Sequence, residues 1–258
     1  MKTTTQTIRD LKGKRPITAL TAYDFITAQI ASKAGIDLIL VGDSLGTTIL
    51  GFPTTTSVTL EVMLHHTAAV TRAHPDSLVI TDIPFPEAHR PKSALLDTAA
   101  RCLQEVGSEG VKIEGGAKMK SKIECLVDAG IPVLGHIGLL PQQIHQLGSY
   151  RKFGKTPEDR KRLIDDALAI EAAGAFALVI EMVDAETTQE ITARTKIPVI
   201  GIGAGPHCDG QILVAQDVLG LTQGKIPSFA KQYADLGQQM EEAFRAFAED
   251  IRDRKFPS

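Results

Sequence analysis

Short apolar runs alternate with longer helical patterns along this chain of 258 residues, and this rhythm limits the choice of fold more strongly than any other property. Eight runs rich in aliphatic and β-branched residues are predicted strands: residues 17–22, 38–41, 78–81, 110–113, 131–134, 177–180, 198–202 and 216–219. Helical patterns lie between them, at residues 24–34, 59–73, 91–106, 117–128, 157–173 and 185–195. Runs that are apolar throughout, such as Leu-Ile-Leu-Val at 38–41, indicate strands buried on both faces of a parallel sheet.

Strands that alternate with helices predict a parallel sheet with right-handed crossovers. A closed (β/α)8 TIM barrel is favoured over an open doubly wound sheet, because such a barrel takes about 250 residues and eight strands. We expect one domain over residues 1–258, ending in a C-terminal helix at about 229–256. The apolar stripe of that helix is interpreted as packing on the barrel, with a neighbouring subunit as the alternative; it runs through Leu236, Met240, Phe244 and Phe247.

Charge and apolar content argue against several classes of protein. Lysine and arginine total 28 against 31 acidic residues, so no basic surface for nucleic acid or an anionic membrane is expected. No apolar run approaches the ~20 residues of a membrane helix, and residues 1–14 lack the apolar region of a secretory signal. Cys102, Cys125 and Cys208 form no CxxC pair and are interpreted as free thiols in a reducing compartment, so the protein is expected to be cytoplasmic.

Acidic residues follow four of the predicted strands. Asp43 comes after the second strand, Asp82 after the third, Glu114 after the fourth and Glu181 after the sixth. The carboxyl ends of barrel strands meet at one rim, where barrel enzymes place their chemistry. A single acid there would mean only contact with water, but acids on three consecutive strands would repel each other unless a hard cation lay between them. We therefore predict a divalent metal site made by Asp43, Asp82 and Glu114.

Other side chains at this rim are candidates for contact with a substrate. Lys112 lies two residues before Glu114 and on the same face of the strand, so it would be an interior lysine that needs a charged partner. Glu181 could be a fourth ligand or a general base. Ser44 places a hydroxyl beside Asp43, and His136 could be either a substrate contact or a packed rim histidine.

Three further patterns carry less weight. Residues 201–206, Gly-Ile-Gly-Ala-Gly-Pro, do not fit GxGxxG, and tight backbone packing is favoured there over a phosphate site. The long connection at residues 45–57 could act as a lid or serve only as a spacer. His65 and His66 are adjacent in a helical pattern and point to different faces, so they are not expected to bind a metal together.

Several motifs between about residues 20 and 221 resemble the ketopantoate hydroxymethyltransferase family. They are Val-Gly-Asp-Ser-Leu-Gly at 41–46, Val-Thr-Leu-Glu at 58–61, Val-Lys-Ile-Glu-Gly-Gly at 111–116, Gly-His-Ile-Gly-Leu at 135–139 with Pro-Gln at 141–142, and residues 201–205 with Cys-Asp-Gly at 208–210. The resemblance implies a TIM barrel of the phosphoenolpyruvate mutase/isocitrate lyase type. It also implies transfer of a hydroxymethyl group from 5,10-methylenetetrahydrofolate to 3-methyl-2-oxobutanoate, giving 2-dehydropantoate.

The resemblance implies a role for each matching residue. The site of one Mg2+ per subunit corresponds to Asp43, Asp82 and Glu114. The substrate contacts correspond to Asp43, Ser44, Asp82 and Lys112, and the proton acceptor corresponds to Glu181. Family members typically assemble as decamers, so the expected partners are a 2-oxo acid, folate and further copies of this chain.

The chain departs from the family at a few positions and leaves two rival functions open. Residues 82–88 read Asp-Ile-Pro-Phe-Pro-Glu-Ala where the family often has Asp-x-Pro-Phe-Met-Ser-Tyr, and Met182 stands where a cysteine is common. One rival is a related metal-dependent 2-oxo-acid lyase or mutase, which usually has a catalytic cysteine in a mobile loop. Here Cys102 and Cys125 fall in helical patterns, and only Cys208 lies in a loop. The other rival, a barrel that only binds ligands, predicts that some of the acids would be lost.

Overall fold

The computed structural model describes residues 2–224 and 226–257, and eight parallel strands close into a barrel. In chain order the strands are β1 (Ile17–Thr21), β2 (Leu38–Val41), β3 (Leu78–Asp82), β4 (Val111–Glu114), β5 (Val133–Gly138), β6 (Ala177–Glu181), β7 (Val199–Ile202) and β8 (Gly210–Leu213). Each strand from β1 to β7 pairs in parallel with the next along the chain. The predicted TIM barrel is therefore confirmed.

Helices lie between the strands as predicted. The α-helices of the described residues are α1 (Thr5–Leu11), α2 (Phe25–Lys33), α3 (Leu45–Thr48), α4 (Leu60–Thr71), α5 (Lys92–Gln104), α6 (Lys120–Asp128), α7 (Ile144–Leu147), α8 (Pro157–Ala172), α9 (Ala185–Arg194), α10 (Ala215–Leu219) and α11 (Leu236–Arg252). Short 3-10 helices span Thr55–Ser57, Glu87–His89, Ala117–Met119 and Pro141–Gln143. The six predicted helical patterns contain α2, α4, α5, α6, α8 and α9.

Local sequence fixes where the helices begin and end. The Asp24 carboxylate accepts a hydrogen bond from the backbone N–H of Thr27 at 2.8 Å and so caps the start of α2. Thr156 caps α8 in the same way, and Pro157 occupies its first turn, where no backbone donor is needed. After α2 the chain turns at Gly35, whose φ of 79° is unfavourable for residues with a side chain. These short turns return the chain to the next strand in the same direction.

Side chains along each strand alternate between the barrel interior and the layer under the helices. In β2, Leu38 and Leu40 belong to one buried cluster with residues from β1 and β3. Ile39 and Val41 belong to another cluster, together with Met63 of α4. The two clusters explain why these strands are apolar throughout, since both of their faces are covered. The same alternation decides which polar side chains at the strand ends turn toward the barrel axis.

The predicted eighth strand, residues 216–219, is wrong. These residues lie in α10, and β8 is the preceding segment Gly210–Leu213. β8 has no continuous apolar run, because the side chain of Gln211 is exposed between buried Gly210 and Ile212. The apolar pair at 218–219 instead ends a short helix, which is closed by Gly220 in the left-handed conformation.

The chain divides into two compact units, of which the first ends at Ile212 and the second begins at Leu213. The single-domain organisation therefore stays a prediction. The C-terminal helix is shorter than expected, because α11 begins only after Asp235, whose carboxylate accepts from the backbone N–H of Gln238. α11 contains no buried residue, and its predicted core stripe is exposed at Met240, Phe244 and Phe247. Among the described residues, no helix is both long and apolar enough to span a membrane.

Candidate active site

Polar side chains occupy inward positions at the carboxyl ends of four neighbouring strands. In β4, Val111 and Ile113 pack in the layer under the helices, so Lys112 and Glu114 face the barrel interior. Strand pairing sets Lys112 beside Asp82 of β3, and Glu114 beside His136 of β5. The inward set at this rim comprises Asp82, Lys112, Glu114, His136 and Glu181.

The three acids predicted to hold a metal lie together. Asp43 follows β2, while Asp82 and Glu114 are the last residues of β3 and β4. Each offers a carboxylate oxygen, and these oxygens all lie within 4.8 Å of one another. The three residues are only 3%, 1% and 3% exposed, so water screens their charges poorly. The predicted juxtaposition is present, whereas the binding of a metal stays a prediction.

Lys112 is the interior lysine expected from the sequence, and it has charged partners. Its Nζ lies 2.8 Å from Asp82 Oδ1 and 3.5 Å from Glu114 Oε1. The side chain is 5% exposed, so an unpaired ammonium in this position would be very costly. Lys112 therefore balances one negative charge of the acidic cluster and leaves the remainder unbalanced.

His136 connects the acidic cluster to Glu181. Its Nδ1 lies 3.6 Å from Glu114 Oε1, and its Nε2 lies 3.3 Å from Glu181 Oε2. Burial and the Lys112 ammonium lower the pKa of His136, but its contacts with the two glutamates outweigh them and raise it to about 9. Its Nδ1 also lies 3.4 Å from Lys112 Nζ, so the imidazole contacts a cation as well as two carboxylates. His136 is not simply a packed rim histidine, although its contact with a substrate stays a prediction.

Ser44 lies beside the acids and is held by a buried tyrosine. The Ser44 hydroxyl is 2.7 Å from the hydroxyl of Tyr23, which is 1% exposed. Burial, above all, raises the pKa of Tyr23 to about 12, so its hydroxyl stays protonated. The backbone carbonyl of Tyr23 is in turn bonded to His66 Nδ1 at 2.7 Å. These contacts were not predicted from the sequence, where only the Ser44 hydroxyl was singled out.

Gln142 is a second residue at this site that sequence analysis did not assign. Its Nε2 donates to Asp43 Oδ2 at 2.9 Å, and its backbone N–H donates to Glu114 Oε2 at 3.2 Å. It lies in the 3-10 helix Pro141–Gln143 that follows β5. The only signal for it in the sequence was its place in the Pro-Gln pair at 141–142.

The charges of the cluster act on one another through the buried site. Burial and then the charges of Asp82 and Glu114 raise the pKa of Asp43 well above its usual range. Burial also raises the pKa of Asp82, although Lys112 opposes this. Burial also acts to raise the pKa of Glu114, but Lys112 and His136 outweigh this effect and hold the pKa below its usual range. Without a further cation, Asp43 is the acid least able to stay ionised.

The donor set of the cluster fits a hard divalent cation. All three candidate ligand atoms are carboxylate oxygens, which Mg2+ prefers over nitrogen or sulfur donors. One divalent ion, together with Lys112, would balance the formal charge of Asp43, Asp82 and Glu114. The acids are also buried too deeply for bulk water to relieve their repulsion. The residues present therefore suit the group that the sequence predicts.

The other predicted features do not join this cluster. His65 and His66 contact each other edge to face with ring centroids 5.5 Å apart, and His66 is engaged with the backbone of Tyr23. A Cβ atom at Gly201 would lie 2.5 Å from Cys208 Sγ, which supports tight packing in the 201–206 segment. The connection at residues 45–57 contains α3 and the 3-10 helix Thr55–Ser57. Whether it is a lid or a spacer stays open.

Comparison with known proteins identifies relatives over the full length of the chain. A family model described as ketopantoate hydroxymethyltransferase matches residues 2–258. A 3-methyl-2-oxobutanoate hydroxymethyltransferase from Thermoanaerobacter sp. (strain X514) is 49% identical over 99% of this chain and 94% of its own. The protein of the same name from Thermosynechococcus vestitus is 47% identical over 97% of this chain and 98% of its own.

Solved structures with low sequence identity share the fold. The chain matches 2,3-dimethylmalate lyase, a member of the PEP mutase/isocitrate lyase superfamily, with a TM-score of 0.60 at 17% identity, covering 98% of this chain and 89% of the lyase. It matches phosphonopyruvate hydrolase, solved with oxalate and Mg2+, with a TM-score of 0.62 at 16% identity, covering 97% and 88% of the two chains. These likenesses confirm the predicted type of barrel.

Proposed function

This chain is an enzyme of the ketopantoate hydroxymethyltransferase family, and on that premise we propose that its acidic cluster binds Mg2+ and a 2-oxo acid. The proposed reaction transfers a hydroxymethyl group from 5,10-methylenetetrahydrofolate to 3-methyl-2-oxobutanoate and yields 2-dehydropantoate. The observation that carries the proposal is the approach of three buried carboxylates from β2, β3 and β4 to within 4.8 Å. Lys112 offsets only one of these negative charges, so the arrangement favours a further cation.

Asp43, Asp82 and Glu114 would hold the ion. When bound, Mg2+ would act as a Lewis acid that stabilises negative charge on the keto oxygen of the substrate. Deprotonation at C3 creates this charge, because the electron pair of the C3–H bond moves toward the carbonyl group. The acids need no change of charge for this role, since the ion balances them.

Glu181 is the proposed proton acceptor. It ends β6, and its side chain is 16% exposed, so it is more accessible to a ligand than the three acids of the cluster. His136 Nε2 lies 3.3 Å from its carboxylate. Glu181 is also outside the group of acids whose oxygens converge. A carboxylate that lies next to the cluster but outside it suits a general base better than a fourth metal ligand.

Lys112 and Ser44 would bind the substrate carboxylate and its neighbouring oxygen. Lys112 offers a positive charge at the rim, and Ser44 offers a hydroxyl that Tyr23 holds in place. Asp43 and Asp82 would also contact the substrate, as the family resemblance implies. A compact 2-oxo acid, with adjacent carboxylate and keto oxygens, matches this combination of charges.

The bonds of the proposed reaction balance with one water molecule. Glu181 takes the C3 proton, and C3 then forms a bond to the methylene carbon of the folate. Cleavage of the carbon–nitrogen bonds returns tetrahydrofolate. Water supplies the hydroxyl group of the new hydroxymethyl group, and its other proton goes to one folate nitrogen. The proton that Glu181 took from C3 goes to the second folate nitrogen. The chain itself needs to supply only binding, orientation and the movement of one proton.

Proton NMR of 3-methyl-2-oxobutanoate in D2O tests the first half of this reaction. With enzyme and Mg2+ but without folate, the C3 proton signal should disappear as deuterium replaces it. Treatment with EDTA should stop the exchange, and restored Mg2+ should restart it. The proposal is rejected if no exchange occurs with or without folate and no folate-dependent product forms.

Two of the three cysteines lack the surroundings of the reactive thiol that the rival lyase or mutase function usually requires. Cys102 is buried in α5, and burial raises its pKa to about 12. Cys208 lies between β7 and β8, and burial likewise raises its pKa to about 12. Thiols of this kind are mostly protonated at neutral pH and are poor acids or nucleophiles.

Assembly and metal content follow from the family as proposals. We expect one Mg2+ per subunit and a homodecamer. Light scattering coupled to size-exclusion chromatography measures the mass of the assembly against the 27.7 kDa of one chain. A monomer at catalytic concentrations would contradict the expected assembly without affecting the proposed chemistry.

A further inference from the structure

We propose that Gln142 is a positioning residue that fixes Asp43 and Glu114 for the cation, an inference that rests on the proposed metal site. Gln142 is 4% exposed and lies between the ends of β2, β3 and β4. Its Nε2 donates to Asp43 Oδ2 at 2.9 Å and to the backbone carbonyl of Ile83 at 3.0 Å. Its backbone N–H reaches Glu114 Oε2 at 3.2 Å. One residue thus contacts two of the three acids.

The orientation of the Gln142 amide follows from its neighbours. Both nearby groups, the Asp43 carboxylate and the Ile83 carbonyl, are acceptors, so the amide nitrogen must face them. Reversing the amide would bring Oε1 against two oxygens and is therefore unfavourable. In the observed orientation Oε1 is buried and has no hydrogen-bond partner among the described residues. The two amide donors are thus directed at Asp43 and at the chain that follows Asp82.

Gln142 and Lys112 act on the acids in different ways. The positive charge of Lys112 lies close to Asp82 and Glu114 and so weakens the attraction of the cluster for a further cation. The amide of Gln142 is neutral, so it orients Asp43 without neutralising it. One oxygen of Asp43 is therefore restrained without the addition of a further positive charge. Contacts of this kind, from partners one step behind the ligands, commonly tune metal affinity.

The turn that holds Gln142 is itself supported by the segment after Asp43. The 3-10 helix Thr55–Ser57 packs against the 3-10 helix Pro141–Gln143. The Thr56 hydroxyl also lies 3.3 Å from His145 Nε2, just beyond that turn. The chain on both sides of the Gln142–Asp43 contact is therefore packed together. This packing makes a fixed position for the amide reasonable, and rigid partners orient ligands best.

Titration of the metal-free enzyme with Mn2+ tests the inference without relying on turnover. Gln142→Met keeps the length of the side chain but removes its two donors. Isothermal titration should show a dissociation constant for Mn2+ raised about 10-fold or more, as expected when a partner of a ligand is lost. The matched control is Gln143→Met, the same change at the next residue of the same turn, whose side chain is partly exposed. The control should bind Mn2+ within about twofold of the wild type, since within the described part of the chain the Gln143 side chain makes no hydrogen bond to these acids.

Thermal unfolding separates positioning from a purely structural role. If Gln142 only stabilised the fold, Gln142→Met would lower the melting temperature equally with and without Mn2+. If it positions the ligands, the gain in melting temperature on adding Mn2+ should be smaller in Gln142→Met than in wild type, because the gain depends on affinity. A folded Gln142→Met enzyme with wild-type Mn2+ affinity would overturn the inference.

Two further outcomes are decided by additional measurements. If Gln142→Met does not fold, Gln142→Asn takes its place, since it keeps a neutral amide but is too short to reach both Asp43 and Ile83. Weaker Mn2+ binding by Gln142→Asn supports the inference, and wild-type binding overturns it. A wild-type enzyme that binds Mn2+ but exchanges no C3 proton would contradict the proposed reaction but not the metal site. A wild-type enzyme that binds no Mn2+ would remove the metal site and this inference together.

Discussion

Two buried aspartates lie at opposite ends of the same strand, and they differ in their hydrogen-bond donors and in the charges around them. Asp37 immediately precedes β2 (Leu38–Val41), and Asp43 follows it; the two residues are 5% and 3% exposed. The Asp37 carboxylate accepts hydrogen bonds from Arg15 at 2.6 and 2.9 Å and from the backbone and hydroxyl of Thr18, both at 2.9 Å. Asp43 receives one side-chain donor, from Gln142, and is crowded by Asp82 and Glu114.

The pKa values of the two aspartates move apart for this reason. Burial raises the pKa of Asp37, but the hydrogen bonds from Arg15 and Thr18 outweigh it and hold the pKa below its usual range. At Asp43 burial and the neighbouring carboxylates act in the same direction and raise the pKa. The protein thus supplies the first acid with a cation and several donors, whereas the second faces two other carboxylates.

Other acids at the amino end of the barrel resemble Asp37. The Asp209 carboxylate pairs with Lys12 at 2.6 Å and accepts from the backbone N–H of Val199 at 2.8 Å. The Glu171 carboxylate accepts from the backbone N–H of Ile197 at 3.0 Å. These acids bind backbone donors where neighbouring strands begin, so they stabilise the barrel. The carboxyl end instead concentrates unbalanced charge, which suits ligand binding.

The largest contrast between the two ends should appear in turnover when Glu181, at the carboxyl end of β6, or Glu171, near the end of α8, is changed to glutamine. Glu181→Gln should lower turnover about 10²–10⁴-fold, because it removes the proposed general base. Glu171→Gln should leave turnover unchanged, since glutamine can still accept from the backbone at the amino end. Rates of folate-dependent product formation measure both effects. Near-normal turnover in Glu181→Gln would show that another group accepts the proton.

The carboxyl-end acids were accessible to sequence reasoning because each ends a recognisable strand. The alternation of side chains along β4 then predicted that Lys112 lies on the same face of the strand as Glu114. Gln142 was not accessible, since it is uncharged, lies in a turn after β5, and meets Asp43 across 99 positions of the chain. β8 was misplaced because its exposed Gln211 interrupts the apolar pattern, whereas α10 imitates an apolar run. Local patterns therefore give strands and strand-end charges, but not the contacts that depend on closure of the barrel.

A second contrast concerns the need for Mg2+. Asp43→Asn should raise the Mg2+ concentration required for half-maximal turnover by more than about 100-fold, since loss of a ligand should exceed the 10–100-fold effect of losing its partners. Asp37→Asn should leave this concentration unchanged, because Asp37 lies at the far end of β2. Turnover measured across a series of Mg2+ concentrations compares the two variants. A similar Mg2+ requirement in both variants would mean that the two ends of the barrel are not specialised as proposed.

The smallest effect, and the one that tests the pKa values themselves, is the dependence of stability on pH in the presence of EDTA. The unfolded pKa of aspartate is about 3.9. Because the folded pKa of Asp37 is lowered, its stabilising effect is complete above that value and disappears as pH falls through the folded pKa. Asp37→Asn should therefore be less stable than wild type at pH 7, by about 1 kcal/mol given the half-exposed Arg15, and the difference should vanish in acid.

Replacement of Asp43 should change the stability in the opposite direction in the same pH series. Its folded pKa is raised, so as pH rises above about 3.9 the unfolded chain loses its proton first and the fold is weakened. Asp43→Asn should consequently be more stable than wild type at pH 7 without metal, and the two should converge as pH falls toward 4. Urea unfolding at each pH measures these differences. If Asp43→Asn were instead destabilised at neutral pH, the crowding of charge at the carboxyl end would be relieved within the protein itself, and the argument that a cation must complete the site would fail.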